Sequence, residues 1–73
     1  MGDFSVVLFF SNNYVAWAAN ALKTKGLYQR VISTPRTLSS GCGYSLKIKT
    51  DEETQAREII TANGIEILGI YKL

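Results

Sequence analysis

The only cysteine of this 73-residue chain, Cys42, lies in the segment TPRTLSSGCG, residues 34–43, which also contains the only proline, Pro35. A cysteine acts as a nucleophile in its thiolate form. Glycines allow backbone angles that other residues resist, and successive N–H groups in such a turn can surround an anion. The segment therefore predicts a loop that presents Cys42 as an exposed, activated sulfur.

The rest of the composition limits the chemistry available to that sulfur. The chain has no histidine, which excludes a Cys-His dyad, a Ser-His-Asp triad and histidine-containing metal sites within one subunit. One cysteine can form neither an intrachain disulfide nor a structural zinc site. The sequence has no GxGxxG motif and no P-loop, so we expect no cofactor.

Charge and hydropathy restrict the expected surroundings of the protein. The net charge of +2 is too small to imply a nucleic-acid partner by itself. No apolar run approaches the ~20 residues that a membrane span requires, and Met1-Gly2-Asp3 does not resemble the basic start of a signal peptide. We therefore expect a cytoplasmic protein without a membrane partner.

The hydrophobic pattern predicts a single domain, residues 1–73, with six elements. A short β-branched and aromatic run indicates a buried central strand, alternating apolar and polar residues indicate a half-buried strand, and apolar residues at helical spacing indicate two helices. The predicted strands cover residues 4–10, 27–33, 44–49 and 65–71. The first predicted helix covers residues 14–25, and the second begins at a capping box in residues 50–53 and stops at Asn63-Gly64.

Residues at the ends of the two helices support these assignments. The run Ser11-Asn12-Asn13 is expected to supply the N-cap of the first helix, and Thr50 is expected to form a capping box with Glu53 at the second. Each helix is followed by a glycine and then a strand, in the related segments KTKGLYQRVI and TANGIEILGI. This faint repeat is what a duplicated β-α-β unit would leave.

The order β-α-β-β-α-β predicts a ferredoxin-like α+β sandwich with a four-stranded antiparallel sheet and two helices on one face. In the strand order 4-1-3-2, the third strand lies antiparallel beside the first. The loop that carries Cys42 should therefore end near the start of the first helix, whose unpaired N–H groups stabilise a thiolate and lower the pKa of a cysteine. The predicted site consists of Cys42 as the reacting group, with Arg36, Ser39, Ser40, Gly41, Gly43, Ser11, Asn12 and Asn13 stabilising its anion.

Other interpretations of the same residues stay open. Cys42 could be a small structural residue, and SSGCG could be a tight hairpin turn. The loop could instead bind an anion or metabolite in a regulatory or interaction module, with Cys42 a bystander. The apolar first strand suggests that both faces of the sheet are covered, which would fit a homodimer. RNA binding on the sheet is disfavoured, because the outward positions of the third strand are Ser45, Lys47 and Lys49 where RNA-binding sheets place aromatics.

The chain resembles a family of small bacterial selenium/sulfur carrier proteins, marked by a Thr-Pro-Arg and a Ser-Ser-x-Cys-Gly sequence. Both occur within residues 34–43, and the likeness continues to the terminal GIYKL. The resemblance implies that Cys42 takes sulfur or selenium from a donor such as a cysteine desulfurase and passes it to an acceptor protein. It also implies a carrier more than a true enzyme. Relatives often have a histidine in the first turn of the first helix, where this chain has Asn13.

Overall fold

A computed structural model describes residues 3–38 and 43–73 of the chain. Its elements alternate in the predicted order, and a short 3-10 turn, Thr50–Glu52, precedes the second helix. The strands are β1 (Phe4–Phe9), β2 (Arg30–Ser33), β3 (Tyr44–Lys49) and β4 (Ile67–Lys72), and the helices are α1 (Asn12–Thr24) and α2 (Glu53–Ala62).

The four strands form one sheet in the order β2-β3-β1-β4, and every neighbouring pair is antiparallel. This arrangement confirms the predicted ferredoxin-like α+β fold. Because β1 and β3 run in opposite directions, the end of β1 and the start of β3 lie at the same end of the sheet. The β1–α1 connection and the β2–β3 loop therefore leave the sheet together.

One face of the sheet packs against both helices and contains the core. Val7 of β1 is paired with Leu46 of β3 and with Ile70 of β4, and all three side chains belong to the helix side of the sheet. The helices contribute small and branched residues that allow close approach, as expected for a thin core. The buried members of the core are Val7, Phe9, Val15, Ala18, Leu22, Leu46, Ile48, Ala56, Ile60 and Ile65.

Both helices end at a glycine in the left-handed conformation, as the sequence repeat predicts. Gly26 and Gly64 each have φ of 77°. The residue after each glycine donates a hydrogen bond to the carbonyl five positions earlier. Leu27 N–H donates to the Leu22 carbonyl at 3.0 Å, and Ile65 N–H donates to the Ile60 carbonyl at 3.2 Å. This pattern is the Schellman motif, which a residue with a Cβ adopts only with strain.

The predicted capping box between Thr50 and Glu53 is wrong. The 3-10 turn displaces the start of α2, so Glu52 is its N-cap residue, and no side-chain cap bond is formed there within the described residues. Ser5 of β1 instead donates its hydroxyl proton to Glu53 Oε2, and Ser5 Oγ lies 2.9 Å from Thr50 Oγ1. Ser5 is fully buried, so a tertiary polar contact has replaced the local one.

Two strand predictions also differ in detail. β2 begins at Arg30 and not at residue 27, because the N–H groups of Leu27 and Tyr28 are already bound to the Leu22 carbonyl and to Glu52 Oε1. Ser45, expected to face solvent, is fully buried and its hydroxyl lies 2.7 Å from that of Thr34.

Candidate functional site

The loop predicted to carry the reacting group is closed at its base by hydrogen bonds. Thr34 N–H donates to the Gly43 carbonyl at 2.9 Å. Within the loop, Leu38 N–H donates to the Pro35 carbonyl at 3.0 Å, so a turn follows the proline. Four of the predicted site residues, Ser39, Ser40, Gly41 and Cys42, lie outside the described residues.

The two strands that flank this loop lie beside the first turns of α1. A groove of about 150 Å³ is lined by Asn12, Val15 and Ala16 from α1, Val31 from β2 and Tyr44 from β3. Tyr44 is two positions after Cys42 in the sequence and one after the loop base. The strands that flank the loop and the start of α1 therefore share one surface, as the predicted topology requires.

The start of α1 has an open positive end. Ser11 is the N-cap residue with φ of −149° and ψ of 161°, and its carbonyl accepts bonds from the N–H groups of Tyr14 at 3.2 Å and Val15 at 3.4 Å. Its hydroxyl caps no N–H group within the described residues, and the first turn contains no acidic residue. The partial positive charge of a helix N-terminus is consequently not offset by a carboxylate in its first turn.

The other predicted site residues that the structure describes are accessible to solvent to differing degrees. Asn12, Asn13, Arg36 and Gly43 are exposed, and Ser11 is half-buried. Asn12 lines the groove described above, whereas Asn13 and Arg36 are not among its described lining residues. The structure thus brings Asn12 together with the strands at the loop base, whereas Arg36 lies outside this groove among the described residues.

The groove adds two residues that the sequence analysis did not assign to the site, Val31 and Tyr44. The alternation of β3 predicts a buried Tyr44 on the helix-facing side, but Tyr44 is 49% exposed. It is the first residue of β3 and lines the groove beside the first turns of α1. The sequence signal for Tyr44 was an aromatic residue directly after Gly-Cys-Gly. A large side chain next to a loop of small residues can form one wall of a groove.

The described residues contain no group of three or more acidic or cysteine side chains close enough to hold a metal ion. Among the helices in that part of the chain, none is both long and apolar enough to cross a membrane.

A family model described as "Putative Se/S carrier protein-like" matches residues 4–72. Comparison with curated proteins and with solved structures found no match. The matched region covers every strand and helix described above and the whole loop between β2 and β3.

Proposed function

We propose, because the chain belongs to the Se/S carrier protein-like family, that it carries sulfur or selenium on Cys42 between a donor enzyme and an acceptor protein. The observation that carries this proposal is the family match across residues 4–72, which includes the only cysteine of the chain. A protein that carries a chalcogen needs one nucleophilic, accessible sulfur, and Cys42 is the only candidate.

The surroundings of the loop base support an activated sulfur. The loop begins and ends at the Thr34–Gly43 hydrogen bond, beside β3 and the first turn of α1. That turn contains no carboxylate to compete with an external anion. A helix N-terminus favours an anionic group by about 0.3–1 kcal/mol at exposed positions, and more where it is partly buried.

The transfer balances without an added oxidant or reductant. The Cys42 thiolate attacks the terminal sulfur of a persulfide on a donor such as a cysteine desulfurase. A bond forms between Cys42 Sγ and that sulfur, the S–S bond of the donor breaks, and the donor cysteine leaves as a thiolate. The thiolate of an acceptor then attacks the terminal sulfur on Cys42 and releases the Cys42 thiolate. A selenium adduct follows the same two steps.

This chemistry fits a chain without histidine. Thiol exchange depends on the thiolate fraction and accessibility of the attacking sulfur, and it needs neither a metal ion nor a general base at neutral pH once the thiolate is formed. The exposed guanidinium of Arg36 would attract an anionic segment of the donor or acceptor. The protein then acts as a carrier, and the donor enzyme generates the persulfide.

The test is transfer of radiolabelled sulfur from a cysteine desulfurase to the purified protein. We expect Cys42→Ser to abolish labelling, because serine forms no persulfide. A relocation control, Asn20→Cys in the Cys42→Ser background, places a thiol at an exposed position in the middle of α1 and should accept label at a small fraction of the wild-type rate. Wild-type labelling of Cys42→Ser would contradict the proposal, and wild-type labelling of the relocated cysteine would show that the loop adds nothing to a bare thiol.

A further inference from the structure

The face of the sheet opposite the helices presents a row of side chains across all four strands. Residues paired across antiparallel strands point to the same side. Lys47 is paired with Arg30 of β2 and with Val6 of β1, and Val6 is paired with Tyr71 of β4. These side chains alternate with the core residues, so they belong to the outer face.

The outer face does not require a second apolar layer. Val6 and Leu8 are 0% and 2% exposed although neither belongs to the helix-side core. Tyr71 contributes to this cover, because its ring occupies the space above Gly69, where a Cβ would lie 3.0 Å from it. Val6 and Leu8 are therefore buried without a second subunit, and the homodimer stays a prediction.

The strand residues of the outer face carry positive charge and no negative charge. The four described strands contain no acidic residue, whereas Arg30, Lys47 and Lys49 all lie on this face. Arg30 and Lys47 are directly opposite each other in the β2–β3 register. Like charges directly opposite on a sheet are destabilising, so the pair has a stability cost in the free protein that an anionic partner would remove.

Two aromatic residues near this charge, Phe4 and Tyr28, already contact the lysines and each other. Lys47 Nζ lies 4.2 Å from the centroid of the Phe4 ring, and Lys49 Nζ lies 5.8 Å from that of Tyr28. The two rings also contact each other, with centroids 5.3 Å apart and planes tilted by 48°. A nucleic acid on such a sheet would need open ring faces on which bases stack. Carboxylates need only ammonium and guanidinium donors, and Arg30 and Lys49 are exposed while Lys47 is half-buried.

We propose that this outer face is a docking surface for an acidic polypeptide segment of a partner protein, bound by Arg30, Lys47 and Lys49. The inference is independent of the role of Cys42. It rests on the charge of the face and on the like-charge pair, and the loop contributes nothing to it.

A decaglutamate peptide is the probe, titrated at low salt into isotope-labelled protein and followed by NMR. We expect amide shifts concentrated in β2 and β3. The double variant Arg30→Gln/Lys47→Gln should bind about tenfold more weakly. The matched control, Lys23→Gln/Lys25→Gln, removes two exposed charges at the end of α1 and should bind within about twofold of wild type, because it leaves the sheet unchanged. Arg30→Gln alone should raise the urea midpoint, because it removes the repulsion between Arg30 and Lys47. The same measurement shows that the variant folds.

Three results of the peptide titration would overturn the proposal. These are equal weakening in the face variant and the control, shifts that map outside β2 and β3, and tighter binding of a decauridylate than of the peptide at the same amides. Self-association of the protein through this face at NMR concentrations would also overturn the proposal, because the occupant would then be a second copy of the chain. Cys42→Ser should bind the peptide as wild type does, so failure of sulfur carriage and failure of this docking surface are distinguishable.

Discussion

The two helices of this fold begin in opposite electrostatic settings. α1 starts at Ser11 with no side-chain cap among the described residues and no acidic residue in its first turn. α2 is preceded by a 3-10 turn that contains Asp51 and Glu52, and its first residue is Glu53. A helix N-terminus carries partial positive charge. Carboxylates offset this charge at the start of α2, whereas the first turn of α1 contains none.

The carboxylates at the start of α2 form hydrogen bonds to other parts of the domain. Glu53 accepts the hydroxyl proton of buried Ser5, and Glu52 Oε1 accepts a bond from Tyr28 N–H at 3.3 Å. These contacts join the start of α2 to β1 and to the segment before β2. α1 begins beside the ends of β2 and β3, where the loop with Cys42 is attached. The partial positive charge at the start of α1 is therefore available to an external anion. In the proposed function this anion is the thiolate of Cys42.

The largest stability effect is expected at α2. Ser5→Ala removes a fully buried hydroxyl that bonds to Glu53 and Thr50. Loss of one partner leaves polar atoms in a desolvated site, so the free energy of unfolding should fall by about 1–3 kcal/mol. Urea denaturation measures this value.

The control for Ser5→Ala is Thr54→Ala, which truncates an exposed residue of α2. It should change the free energy of unfolding by less than about 0.5 kcal/mol. Equal effects of the two substitutions would show that the Ser5–Glu53 contact contributes nothing to stability.

A smaller effect is expected when an acid is added to α1. Asn13→Asp places a carboxylate in the exposed first turn, which should stabilise the protein by about 0.3–1 kcal/mol. The same charge should raise the pH at which Cys42 becomes reactive, since it disfavours a nearby thiolate. Thermal unfolding and the rate of alkylation measure the two effects.

The matched control is Asn20→Asp, the same exchange at an exposed position in the middle of the same helix. It should leave the alkylation profile of Cys42 unchanged. An Asn13→Asp protein that is stabilised but keeps the wild-type profile would mean that the start of α1 does not act on Cys42.

The smallest effect is expected at Asp51, which is exposed in the 3-10 turn before α2. Asp51→Asn should lower the free energy of unfolding by about 0.3 kcal/mol at low salt. The difference should disappear near 1 M salt, where the screening length is about 3 Å. A difference that persists in high salt would indicate a specific contact in place of a dipole effect.

The order of elements could be predicted because each element has its own local signal. Alternation marks β3, the apolar run marks β1, and glycine ends both helices at Gly26 and Gly64. The failures occur where distant residues decide the outcome. The Thr50–Glu53 pattern satisfies a local rule, but both side chains bond to Ser5, which is 45 positions from one and 48 from the other. No local pattern contains that information.

The same reasoning applies to the candidate site. The topology predicted that the loop base would lie beside the start of α1, and the groove between Asn12 and Tyr44 agrees with it. Tyr44 and Val31 are 49% and 47% exposed, although alternation places both on the helix-facing side. How far the helices cover the sheet is a property of packing and not of sequence periodicity. The predicted site roles all stay predictions: Cys42 as the reacting group, and Arg36, Ser39, Ser40, Gly41, Gly43, Ser11, Asn12 and Asn13 as groups that stabilise its anion.

The most direct test of sulfur activation is the alkylation rate of Cys42 as a function of pH, with free cysteine as the reference. We predict a midpoint clearly below the ordinary cysteine pKa of about 8.5, because the open N-terminus of α1 and the loop N–H groups favour the thiolate. A midpoint at or above that value, or no alkylation of the folded protein, would contradict the account and make Cys42 a structural residue.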